Sequence, residues 1–96
     1  MSPDPDAASS YDVVLAPGAR RALTDTLPSA AAFAAWEFIR GPLAESPRVV
    51  GTPLGAPVEG MWRARRGDYR VRYRIDDSAR QVVVLDVDHR RDAYHG

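Results

Sequence analysis

A chain of 96 residues with 45% hydrophobic content makes one small domain, able to bury roughly 60–70% of its unfolded surface. Thirteen basic residues, every one arginine, balance thirteen acids, so no general attraction to nucleic acid is indicated and an anion site must come from local clustering. With no cysteine there is no disulfide frame, thiolate zinc site or cysteine nucleophile; no window reaches the apolar length of a membrane span, and the opening residues lack a signal-peptide pattern, so a cytoplasmic protein is expected.

Residues 1–10, with two prolines, two acids and no large apolar side chain but the initiating Met, read as a flexible tail ahead of a domain over 11–96. Tyr11 to Leu15 is a short strand candidate. Pro17 suits the first turn of a helix, and the helix formers Ala19 to Leu23 extend it to about 26. Ser29 is a candidate cap for a second helix, whose apolar stripe runs through Ala32, Trp36, Ile39 and Leu43. Gly41-Pro42 should kink or end it. Ser46 to Pro57 is rich in proline and glycine, with a short extended piece at 49–54.

Two strands then flank Gly67-Asp68, and glycine first in a two-residue loop is the signature of a type II′ turn. That loop sets Arg66 opposite Tyr69, Arg65 opposite Arg70, Ala64 opposite Val71, Arg63 opposite Arg72 and Trp62 opposite Tyr73. Side chains alternate faces along a strand, so Trp62, Ala64, Val71, Tyr73 and Ile75 share one face. Arg63, Arg65, Arg70, Arg72 and Arg74 share the other. Residues 61–74 hold six of the 13 arginines and a single acid, Asp68. Like charges directly opposed destabilise a sheet, so this row asks for an anion, with phosphate the obvious one. The bland alternative is a solvated strand face written in arginine by coding bias.

Residues 76–80 form a turn, and Gln81 to Asp88 is a nearly continuous apolar strand that should be buried on both faces. Element order is then β-α-α-β-β-β, an α+β fold with both N-terminal helices packed on one face of a small antiparallel sheet. The arginine face is left open. Asp86-Val-Asp88-His89 is compatible with a divalent metal but more simply supplies counter-charge to neighbouring arginines, and no metal or cofactor is expected. His89 and His95 titrate nearest neutrality; His89, directly after the strand, is the stronger acid–base candidate. Trp36, Trp62 and Tyr73 read as core.

The passage Gly60 to Ile75, followed by Val82 to Tyr94 with its His89-Arg90 and Tyr94 ending, resembles the RelE branch of the RelE/ParE toxin superfamily over about residues 11–95. The resemblance implies the toxin of a bacterial type II toxin–antitoxin system, held inactive by a cognate antitoxin protein. It further implies a ribosome-dependent, metal-independent endoribonuclease that cuts mRNA in the ribosomal A site, the ribose 2′-hydroxyl attacking the adjacent phosphodiester. By position it implies that Arg63, Arg65, Arg70, Arg90 and Tyr94 are site residues. Relatives carry lysines on the basic strand, whereas arginine cannot readily surrender its proton. Tyr94 therefore becomes the first candidate base and His89 the second. The ParE branch, whose members bind DNA gyrase without cutting RNA, shares the fold, and a purely antitoxin-binding member is a third reading.

Overall fold

Gly67 takes a φ of +59° while Asp68 stays at negative φ, as a type II′ turn requires, and the chain folds back on itself there. The computed structural model describes residues 10–57 and 59–89; residues 1–9 of the expected tail, together with Arg90, Tyr94 and His95, lie outside them. Strand β1 (Asp12–Leu15) leads into helix α1 (Pro17–Arg21), which continues as a wider π-helical turn over Ala22–Thr26. Helix α2 (Ser29–Phe38) continues in the same way over Ile39–Leu43. A single turn, α3 (Pro47–Val50), precedes β2 (Thr52–Pro53), β3 (Met61–Arg66), β4 (Tyr69–Asp76) and β5 (Gln81–His89).

The five strands lie in the order β1-β5-β4-β3-β2. The register between β3 and β4 is the one the turn dictated, from Arg66 opposite Tyr69 to Met61 opposite Arg74. The α+β layering stands, with one pairing that differs from an all-antiparallel sheet: β1 runs parallel to β5, Asp12 aligned with Gln81 and Leu15 with Val84. The chain leaves β1, crosses through the helices and returns antiparallel strand by strand, so that its last strand is left beside its first. Hydrogen bonds from the Asp12 and Ala16 amides to the Arg80 and Val84 carbonyls, both 2.9 Å, close that contact.

Helix α2 turns the expected stripe to the sheet with one change: Ile39 and Leu43 stay in it and Ala32 packs at its edge, while Trp36 gives way to Ala35 and Phe38. Ala35, Phe38, Ile39 and Leu43 are buried, while Trp36 is 37% exposed and so is not core. In an alanine-rich helix several stripes are nearly equivalent, and the large rings decide between them. Phe38 meets the Tyr69 ring edge-on at 6.4 Å, a favoured aromatic geometry. Ser29 is the first helical residue and its side chain makes no capping hydrogen bond. The helix passes through Gly41-Pro42 as a π turn without ending, the wider turn giving the proline ring room from the carbonyl of the preceding turn.

Strand β5 carries the feature that orders the sheet. Its pairing with β4 shifts by one residue between Arg72, opposite Asp86, and Tyr73, opposite Val84, so Leu85 is an unpaired bulge residue. Val82 and Val84 are buried before it; Val87 and His89 are buried after it. Without the bulge, strict alternation would drive Asp86 and Asp88 into the core behind Val84. Burying a carboxylate without a partner costs several kcal/mol, whereas an interrupted ladder hydrogen bond costs about 0.5–1.5 kcal/mol. The bulge wins. The strand is therefore buried on one face and half covered on the other, where Val83, Leu85 and Asp86 are partly exposed.

Tyr73, fully buried, ties the sheet to α3 by donating its hydroxyl to the Pro47 carbonyl at 2.6 Å. Gly51 makes room for it: a Cβ there would lie 1.9 Å from the Tyr73 hydroxyl oxygen. At the surface, Tyr11 donates to Asp77 at 2.7 Å and Arg48 donates to both oxygens of the same carboxylate at 3.2 and 2.6 Å. The Arg48 and Tyr11 hydrogen bonds hold the Asp77 carboxyl below its ordinary range. Among the described residues no helix is long and apolar enough to cross a membrane.

Two expectations follow. Gly51→Ala lowers stability by about 1–3 kcal/mol, as overpacking does, and a Tyr73→Phe background recovers part of that loss; urea unfolding measures both. Burial pushes the Tyr73 phenol up to about 12, whereas an unfolded chain ionises its tyrosines near 10. The contribution of Tyr73 is intact below pH ~10 and declines as pH climbs toward ~12. Alkaline unfolding should therefore be shallower in Tyr73→Phe than in the native chain.

Candidate functional site

Three strands build the open face in register. Arg63 on β3 lies opposite Arg72 on β4, which lies opposite Asp86 on β5; one step along, Arg65, Arg70 and Asp88 repeat the pattern. The site is thus two parallel rows, each reading Arg–Arg–Asp across the sheet. The turn at Gly67-Asp68 fixes the arginine columns, and the bulge at Leu85 brings the aspartates to the same side.

The two rows are not equivalent. In the first, the Arg72 guanidinium donates to both oxygens of Asp86, from Nε at 3.0 Å and from Nη2. This two-pronged ion pair raises the Arg72 pKa above its ordinary value, first through those hydrogen bonds and then through the Asp86 charge. In the second row, among the described residues, neither Arg65 nor Arg70 forms an ion pair. Asp88 likewise makes no hydrogen bond. Arg63, Arg70, Arg72 and Asp88 line a cleft of about 180 Å³. Arg63, Arg65, Arg72 and Arg74 are exposed and Arg70 is half-buried, so the face is accessible to a ligand. Directly opposed arginines repel, and Arg63, Arg65, Arg70 and Arg74, with no ion pair among the described residues, present planar, forked donors suited to a phosphate.

The other residues singled out from sequence fall elsewhere. His89 is buried, on the opposite face, where it borders a groove with Ala30, Ala31, Ala34 and Tyr69. The second candidate base is therefore separated from the arginines by the sheet itself. Arg66 also turns to the helix side, its guanidinium 4.9 Å from the centre of the Phe38 ring. Tyr69 and Tyr73 lie buried beneath the sheet, where desolvation raises both phenols above their ordinary pKa. Arg90 and Tyr94 lie outside the described residues. Asp88, which the sequence offers as counter-charge or as part of a metal site, makes no ion pair among the described residues and borders the cleft. Its place in the cleft was signalled by the run of three valines and a leucine meeting Asp-Val-Asp, a pattern that unbroken alternation cannot satisfy.

The same architecture and sequence recur among known proteins. Residues 13–94 match the family model of the ParE toxin of type II toxin–antitoxin systems. This chain belongs to that toxin family. It is 46% identical over 84 residues to the toxin RelG of Mycobacterium tuberculosis, covering 88% of this chain and 95% of the relative. The toxin RelE of the same organism is 42% identical over 84 residues, with 88% and 86% covered. Its fold is similar to a chain of the toxin–antitoxin complex RelBE2 from M. tuberculosis, with a TM-score of 0.81 at 46% identity over 84% of this chain and 99% of that one. The archaeal RelE–RelB complex of Pyrococcus horikoshii shares the fold alone, at 24% identity and a TM-score of 0.59 over 84% of this chain and 96% of the other. The protein is accordingly a toxin of a type II toxin–antitoxin system.

If Asp86 withholds Arg72 from ligands, Asp86→Asn should release it. The expected result is about threefold tighter binding of pyrophosphate, the scale of one exposed charge interaction of roughly 0.2–1 kcal/mol. Isothermal titration at two ionic strengths measures it, with the gain shrinking at high salt.

Proposed function

We propose that this toxin is a ribosome-dependent endoribonuclease that cuts mRNA in the A site and so halts translation. The observation that carries the proposal is the set of open arginines on this face: Arg63, Arg65 and Arg70 hold no carboxylate among the described residues, and Arg63 and Arg70 border a cleft of a size to take one phosphodiester. In-line attack by the ribose 2′-hydroxyl builds negative charge on the phosphoryl oxygens, and donors fixed on a rigid sheet stabilise that charge without reorganising. Arg70, half-buried at the centre of the array, is assigned to that role, with Arg63 and Arg65 aligning the strand. Arg90 is assigned a second contact to the phosphate and Tyr94 a proton-transfer role, on their match to the family pattern.

The partners that follow are a cognate antitoxin, the ribosome and mRNA, and the place of action is the cytoplasm. Likeness to chains solved in RelB–RelE complexes supports the antitoxin. The likeness to toxins named RelE and RelG, together with the arginine rows, favours RNA over gyrase as the target.

Controlled expression followed by mapping of message 5′ ends tests the reading. In-frame cuts within translated messages are expected, with little cutting of naked RNA; growth arrest without such cuts would sink it. Arg70→Ala should lower cleavage about 100-fold or more, the scale of losing one preorganised donor, with antitoxin affinity retained in a pull-down titration.

A further inference from the structure

A nuclease of this type needs a group that takes the proton of the 2′-hydroxyl, and the open face is written almost entirely in arginine, which cannot accept one. The carboxylates that stand beside the cleft are Asp86 and Asp88; Asp76 and Asp12 lie at the far end of the same face. Asp86 is engaged by both prongs of Arg72. His89 and the phenols of Tyr69 and Tyr73 are buried on the other face, and Tyr11 donates to Asp77 at the far end of the sheet. Asp88 differs from all of these: it is exposed, it borders the cleft, and it makes no hydrogen bond among the described residues.

Its position follows from the bulge. Leu85 drops out of register, and Asp88 comes to lie opposite Arg70 on the arginine side. Neighbouring strands lie about 4.8 Å apart, so a phosphate held on Arg70 brings its own ribose within side-chain reach of the next strand. The charged groups facing Asp88 are Arg63 from β3, Arg70 and Arg72 from β4, and Asp86 from its own strand.

We propose that Asp88 is the general base of the reaction. Its carboxylate takes the proton from the 2′-hydroxyl as the 2′-oxygen forms a bond to phosphorus and the bond from phosphorus to the 5′-oxygen breaks. The leaving oxygen takes a proton from water, a 2′,3′-cyclic phosphate remains, and Asp88 returns its proton to solvent. This assignment rests on the nuclease reading above. It moves the base from the C-terminal tyrosine to a strand whose geometry is set by the fold.

The test is single-turnover cleavage of message on programmed ribosomes by the full-length toxin, native and Asp88→Asn, with thermal unfolding and antitoxin affinity measured alongside. Asp88→Asn is expected to lower the cleavage rate about 100-fold or more, the range general base catalysis supplies. Half-saturating toxin concentration should not rise, because a negative charge beside three arginines has been removed. Asp88→Glu is expected to keep a measurable fraction of the rate. An Asp88→Asn rate within threefold of native overturns the assignment while the nuclease reading stands. A native toxin that cuts no ribosome-bound message overturns both.

Discussion

One unpaired residue, Leu85, decides which side of the sheet every later residue of β5 faces. Its neighbours give the constraint its force. Val82, Val84 and Val87 all belong to the core, and each fully buried valine contributes about 1.5–3 kcal/mol relative to exposure. A regular strand can bury the first two or the third on the same face, never all three. One bulge satisfies the three valines and lifts both aspartates out of the apolar layer. The amino terminus of α1 lies against this point, Gly18 bringing backbone close enough that a Cβ would sit 3.1 Å from the Leu85 carbonyl oxygen.

Core and site are therefore two faces of one ladder. Ala64, Val71 and Tyr73 of the hairpin pack with Ala35, Phe38, Ile39 and Leu43 of the helix layer, and that packing holds β3 and β4 rigid. Rigidity lets opposed arginines be tolerated. The repulsion between Arg63 and Arg72, and between Arg65 and Arg70, acts across strands already locked by burial beneath them. An array that is destabilising in isolation becomes a preorganised anion receptor. The cost is borne by the hydrophobic layer, as expected of a functional site in a small domain.

The aspartates divide that receptor. Asp86 closes the first row by pairing Arg72, leaving the second row open with Asp88, which makes no hydrogen bond or ion pair among the described residues, at its end. An arginine face with no acids would bind any polyanion; one in which every arginine is paired would bind none. The mixture suits a single phosphodiester and sets a proton acceptor beside the donors. It also accounts for a toxin whose formal net charge is zero: its basic character is local, concentrated where the sheet is open.

Local rules carried much of this in the sequence alone. Gly67-Asp68 determined the hairpin loop, hence its register and the separation of Arg63, Arg65, Arg70, Arg72 and Arg74 from Ala64, Val71 and Tyr73, because a two-residue turn leaves no freedom of alignment. The helix–sheet layering followed from the order of elements. Contacts between distant segments had no such local signature. Which side of an alanine-rich helix meets the sheet was settled by Phe38 reaching Tyr69, and the parallel seat of β1 beside β5 by how the whole chain returns. The face of His89, and of Asp88 with it, depended on a bulge chosen by competition between buried valines and buried carboxylates. Sequence by itself determined the arginine row; only tertiary packing decided which acids stand beside it, because face alternation along a strand is local while the residue that breaks it is chosen by the core.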